Sequence, residues 1–201
     1  TATRTLVPTA TVAATETATP LPCLAEGGTM LAFDDFRSPT AGENLRYRVY
    51  IPPCYLESQK RFPVAILLHG QATTELQWDR IGADEALDQG IRLGALAPMI
   101  LVMPYTGFIA NRDSFPPDPS YETVIMEELL PTIERDFCTI TQREYRAIAG
   151  ISRGGFWAYS VALRHPDVFG VVGGHSVVFS ESNAPAANNP LDLALNASFL
   201  S

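Results

Sequence analysis

Lysine is almost missing from this chain of 201 residues: Lys60 stands alone among 14 basic residues, and the arginines are scattered singly. With a formal net charge of −8 and no basic cluster, the chain is not expected to bind nucleic acid. Histidine is scarce as well, limited to His69, His165 and His175, and the three cysteines, Cys23, Cys54 and Cys138, lack CxxC spacing. No metal or other cofactor is therefore expected. No apolar run approaches the roughly 18 to 20 residues that a membrane-spanning helix needs, so no transmembrane segment is expected. The first residue is Thr1 rather than methionine. Any signal peptide or N-terminal anchor is thus expected upstream of this sequence.

What is present divides into a tail and a body. Residues 1–22 are almost all Thr, Ala, Pro and Val without apolar periodicity, a composition that cannot offset its ordering entropy and reads as a disordered linker. Tethers of this kind separate exported domains from anchors, which points to an extracellular or cell-envelope location. Residues 23–201 have the length and the apolar content, 46% over the whole chain, for one domain with a sizeable core. Cys23 and Cys54 follow Pro22 and Pro53 on either side of the first two expected strands. Either they form a bridge, which requires an oxidising compartment, or they are two free thiols. Cys138 is left either buried and free or without a partner in this sequence.

Strands are expected over residues 29–36 and 45–51. In the second, Arg46 and Arg48 alternate with Leu45, Tyr47 and Val49, the period-two signature of a half-exposed strand. The turn-forming stretch between them predicts an antiparallel hairpin at a sheet edge, and Pro52-Pro53 ends it. Residues 62–68 and 99–104 are nearly continuous apolar runs, the pattern of strands covered on both faces. A helix is expected over residues 81–89, with Gly90, Gly94 and Pro98 as terminators. Ile125, Leu129, Ile133 and Phe137 recur every fourth residue and predict an amphipathic helix over 120–136, kinked at Pro131. Further strands are expected over 145–149 and 169–174. Strands and helices alternating in this order give a mostly parallel sheet with helices on both faces, an α/β fold.

The chemistry concentrates at Gly150-Ile151-Ser152-Arg153-Gly154, which lies between an apolar strand and an Ala-rich helical pattern. That is the strand, sharp turn and helix that G-x-S-x-G requires, and it makes Ser152 the candidate catalytic nucleophile, exposed at a helix N-terminus. Glycines at 150 and 154 would avoid clashes with the neighbouring strand and helix. An oxyanion beside Ser152 would be held by the backbone N–H of Arg153 and, from the turn after the 62–68 strand, by that of Gln71. His69 precedes Ser152 in the chain and is read as shaping that loop rather than as the base. Trp78 is a candidate for lining a substrate pocket, against the simpler reading of packing. The polar, proline-rich loop over 105–119 follows a parallel strand, a natural place for substrate contacts.

Taken with Leu67-Leu-His-Gly70, Tyr121-Glu-Thr, Glu127-Glu-Leu-Leu-Pro131 and His165-Pro-Asp-Val-Phe-Gly170, this motif resembles the esterase D-like branch of the α/β-hydrolases. That branch includes S-formylglutathione hydrolases, enterochelin esterases, feruloyl and acetyl-xylan esterases and mycolyltransferases. The resemblance implies serine hydrolysis of a small-molecule or polysaccharide ester through an acyl-enzyme on Ser152. It also implies an acid and then a histidine after the nucleophile, yet beyond His175 the chain holds Glu181 and Asp192 and no histidine. His175 itself is read as a strand-end residue beside the site. The expectation is accordingly a domain lacking its last strands together with the catalytic acid and base. An inactive glycan-binding module and an acyltransferase are the alternative readings.

Overall fold

The computed structural model describes residues 22–180 and 184–195; the expected linker, apart from Pro22, and Glu181 lie outside them. Among the described residues six strands form one sheet: β1 (Thr29–Ser38), β2 (Glu43–Ile51), β3 (Val64–Leu68), β4 (Ile100–Pro104), β5 (Arg146–Ile151) and β6 (Val171–His175). Their spatial order is β1-β2-β4-β3-β5-β6. The leading hairpin β1-β2 is antiparallel, β2 pairs antiparallel with β4, and β4, β3, β5 and β6 run parallel. Around the sheet lie α1 (Cys23–Glu26), α2 (Tyr55–Ser58), α3 (Gln77–Arg80), α4 (Ala83–Arg92), α5 (Tyr121–Thr123), α6 (Leu130–Asp136), α7 (Arg153–Arg164) and α8 (Pro190–Leu195).

Side-chain alternation along the strands divides the core into two halves. Val64, Ile66 and Leu68 of β3 and Ile100 and Val102 of β4 face α7 and the 121–136 helix. Their neighbours Ala65, Leu67, Leu101 and Met103 face Leu87 and Ile91 of α4. Both central strands are therefore covered on both sides, which is why they read as unbroken apolar runs. Arg46 and Arg48 of β2 are not simply in solvent. Arg46 Nε bonds Glu75 at 2.8 Å and Arg48 pairs with Asp79 at 3.1 Å, tying the hairpin to the segment around α3.

Three local expectations are corrected. Gly90 does not end its helix, which starts after the left-handed Gly82 and runs to Arg92. The absent side chain instead makes room for Leu96, whose Cδ1 would lie 2.5 Å from an added Cβ, and the chain turns at Gly94. The 120–136 helix meets Pro131 by widening rather than by stopping: Val124–Leu129 is π-helical and leads directly into α6. The wider turn lies where a proline ring would otherwise press on the carbonyl four residues back. Cys138 is free, but exposed rather than buried.

Cys23 and Cys54 are joined in a disulfide spanning 31 residues. This bridge fixes α1 to the segment that follows β2. Loop-closure entropy for that length predicts a loss of roughly 3–4 kcal/mol of unfolding free energy when the bridge is removed. Urea unfolding with and without reductant checks this, and the Cys23→Ser/Cys54→Ser double variant should match the reduced protein and ignore reductant.

Candidate active site

Ser152 sits between β5 and α7 with φ 51° and ψ −114°, a conformation that a residue carrying a side chain adopts only at a cost. Backbone bonds hold it there: Ser152 N–H donates to His175 O at 2.9 Å, and Ser152 O accepts from Phe156 N–H at 3.0 Å. The neighbouring glycines are required by close approach of main chain to main chain. A Cβ on Gly150 would lie 2.2 Å from the Gly154 carbonyl carbon, and one on Gly154 would lie 2.4 Å from His69 O. Helix α7 therefore rests directly on the ends of β3 and β5, and its first turn presents amides and the positive end of its dipole beside the serine.

The turn after β3 is held by His69, which is 4% exposed. Its Nδ1 lies 2.7 Å from Gly70 O, which can only accept, and its Nε2 lies 3.0 Å from Thr106 N–H, which can only donate. The ring is thereby fixed as the neutral Nδ1–H tautomer with both nitrogens engaged. Gly70 N–H donates to Gln77 Oε1 at 2.7 Å and the Thr73 hydroxyl to Gly70 O at 2.7 Å, completing the turn that carries Gln71. Tyr105 stacks on the imidazole, with ring centroids 5.6 Å apart, and the Arg46 guanidinium lies 4.7 Å above Tyr105.

Ser152, Gln71 and Arg153 come together in one cleft of about 310 Å³, with Asn111, Asp113, Phe156 and Val178 as its other walls. Among the described residues the main-chain N–H groups of Gln71 and Arg153 donate to no backbone acceptor. Asn111 and Asp113 were not singled out by the sequence beyond their membership of the 105–119 loop. What brings them in is the Arg153 side chain. Its Nε donates to Ala110 O at 2.8 Å and its terminal nitrogen to Arg112 O at 3.0 Å and Asp113 Oδ1 at 2.8 Å. The guanidinium also lies over the rings of Phe156 and Trp157, and Trp157 Nε1 donates to the same Ala110 O at 2.7 Å.

Trp78 does not line this cleft. Its indole N–H donates to Leu68 O at 3.0 Å and its ring packs on the α4 side of the sheet. His165 Nε2 is bonded to the buried Glu122 at 2.8 Å, and His175 ends β6 with Nδ1 3.1 Å from Ser176 Oγ. Among the described residues no side chain hydrogen-bonds the Ser152 hydroxyl, and no cluster of three or more His, Cys, Asp or Glu is arranged to hold a metal. Asp192 lies on α8.

A mostly parallel sheet covered on both faces, with a strained serine at a strand-to-helix bend, defines the α/β-hydrolase class. Within that class the chain belongs to the esterase family: the family model described as "Putative esterase" matches residues 38–198. An endo-1,4-beta-xylanase/feruloyl esterase of Xylanibacter ruminicola is 34% identical over 148 residues, 69% of this chain and 20% of that protein. An esterase of Mycobacterium tuberculosis is 33% identical over 147 residues, 70% of this chain and 31% of that protein. The chain thus spans less than a third of the length of either relative. A solved ferulic acid esterase superposes with a TM-score of 0.74 at 27% identity, covering 86% of this chain and 73% of its own. An S-formylglutathione hydrolase from Agrobacterium tumefaciens, 18% identical with a TM-score of 0.68, covers 86% of this chain and 72% of its own and shares the fold.

Burial holds the His69 pKa below its ordinary value of 6.5. A histidine whose folded pKa is depressed binds its proton more readily when unfolded. Its contribution to stability is then complete above about pH 6.5 and lost as pH falls from there through the folded value. Urea unfolding of wild type and His69→Gln at about pH 7.5 and pH 5.5 should give a stability gap that narrows at the lower pH.

Proposed function

We propose that the protein hydrolyses carboxylic esters through an acyl-enzyme on Ser152. The observation that carries this reading is the strained serine at φ 51°, opening into one cleft with the unpaired amides of Gln71 and Arg153. Ser152 Oγ adds to the ester carbonyl carbon as its proton passes to a base, and the carbonyl oxygen becomes an oxyanion facing the two amides. Collapse of this intermediate breaks the bond to the alcohol, which leaves with a proton, and water then releases the acid by the same path. His69 is not that base, because both of its ring nitrogens are engaged, and His165 is held by Glu122.

Membership of the esterase family supports the reaction class, and the feruloyl esterase activity of the relatives suggests esters attached to polysaccharide as one substrate class. We also infer export, on the support of the Cys23–Cys54 bridge, since structural disulfides persist in oxidising compartments.

The test uses the protein as its gene encodes it. A fluorophosphonate probe should modify the peptide containing Ser152, and Ser152→Ala should lose both the adduct and 4-nitrophenyl acetate turnover, by about a thousandfold or more in kcat. Full turnover in Ser152→Ala would refute the assignment. A protein that binds glycan without taking the label would instead be the non-catalytic module.

A further inference from the structure

A second cavity, of about 330 Å³, begins one residue beyond Gln71 and is lined by Ala72, Thr73, Thr74, Gln77, Arg80 and Ile81. It adjoins the Ser152 cleft through the same turn, since Gln71 borders one cavity and Ala72 the other, and Gly70 lies against Ile151, with an added Cβ 3.5 Å from Ile151 O. Ala72 has φ 64°, an uncommon conformation for a residue other than glycine, and it reverses the chain between the two cavities.

The two linings differ in chemistry. The Ser152 cleft is walled mainly by polar groups, Gln71, Asn111, Asp113 and Arg153. The second cavity offers the Ala72 methyl and the Ile81 side chain. The hydroxyl of Thr73 and the amide oxygen of Gln77 are already taken up with Gly70. Ile81 is 61% exposed and belongs to neither half of the core, so packing gives no account of it. Arg80 has no ion pair among the described residues, leaving one uncompensated cation at this apolar surface.

We propose that this groove is a second substrate subsite, which receives an apolar arm of the ester whose far end carries a negative charge facing Arg80. The proposal rests on the reading of Ser152 as the reaction centre. An ester has two arms diverging from its carbonyl carbon. With that carbon at Ser152, the polar cleft suits one arm and the groove across the Gln71–Ala72 turn suits the other. Its volume lies within the range of small-molecule sites and accommodates a medium-length chain.

Turnover of 4-nitrophenyl acetate, 4-nitrophenyl hexanoate and the 4-nitrophenyl monoester of adipic acid is compared in wild type, Ile81→Asp and Arg80→Glu. Ile81→Asp should lower kcat/KM for hexanoate about tenfold or more while leaving acetate unchanged, because acetate does not reach the groove. Arg80→Glu should lower kcat/KM for the adipate monoester about tenfold and leave hexanoate within about twofold. The anionic dye 8-anilinonaphthalene-1-sulfonate, apolar with one negative end, should bind Ser152→Ala as well as wild type, inhibit hexanoate turnover competitively and bind either groove variant at least about fivefold more weakly. Equal effects on all three esters, or dye binding unchanged in both groove variants, would overturn the subsite. Acetate turnover in Ser152→Ala reports the nucleophile alone, whereas dye binding needs no turnover. Failure of one assignment is therefore distinguishable from failure of the other.

Discussion

The site depends on direct contact between main chains where α7 leaves β5. Side chains cannot intervene there: an added Cβ at Gly150 or Gly154 would lie within 2.5 Å of a carbonyl group. This closeness forces the reversal at Ser152 and its positive φ, a strain of order 1–3 kcal/mol that isolated turns would relax. The strain is offset by burial beyond the bend. Phe156, Trp157, Ala158 and Val161 of α7 are essentially inaccessible to solvent, and each large apolar side chain so buried contributes about 1.5–3 kcal/mol. The helix is thus anchored by its middle, and the serine at its tip has little freedom to flatten.

Parallel pairing then determines which loops reach that tip. Because β4, β3 and β5 run in the same direction, the loops after all three emerge at one edge of the sheet. Two side chains join them. His69 links the turn after β3 to Thr106 after β4, and Arg153 links α7 to residues 110–113. Displacing either loop would therefore disturb both walls of the cleft at once.

The strands, the bend at Ser152 and the leading hairpin are legible in the sequence because each leaves a periodic or positional mark. Continuous apolar runs announced β3 and β4, and glycines bracketed the serine. The chain also held a disulfide that composition left open, since pairing depends on where β2 returns the chain and not on the spacing of the cysteines. Gly90 was misread for a related reason. A glycine that admits a neighbouring Leu96 looks the same in sequence as one that stops a helix. Asn111 and Asp113 are marked in the sequence only as members of the 105–119 loop, because what ties that loop to the cleft is a set of long-range bonds from Arg153 to Ala110, Arg112 and Asp113. Trp78 was a candidate on residue type, but its indole N–H satisfies Leu68 O instead.

The placement of charge bears on how an oxyanion would be stabilised in the proposed reaction. Arg153 is the residue immediately after Ser152, the proposed nucleophile, and a guanidinium there would have the reach to face a developing charge. Its nitrogens are instead bonded to Ala110 O, Arg112 O and the Asp113 carboxylate, and its plane lies against Phe156 and Trp157. The cation is balanced by the Asp113 carboxylate and fixed in place by these bonds. In the proposed reaction stabilisation would fall to the two amides and the α7 dipole, groups fixed by the fold that need no reorientation as charge develops. A mobile cation would have to reorient during the reaction, whereas amides held by strand, turn and helix are already oriented on folding. In this arrangement the arginine side chain maintains the shape of the cleft, and in the proposed reaction its main chain would supply the electrostatic contact.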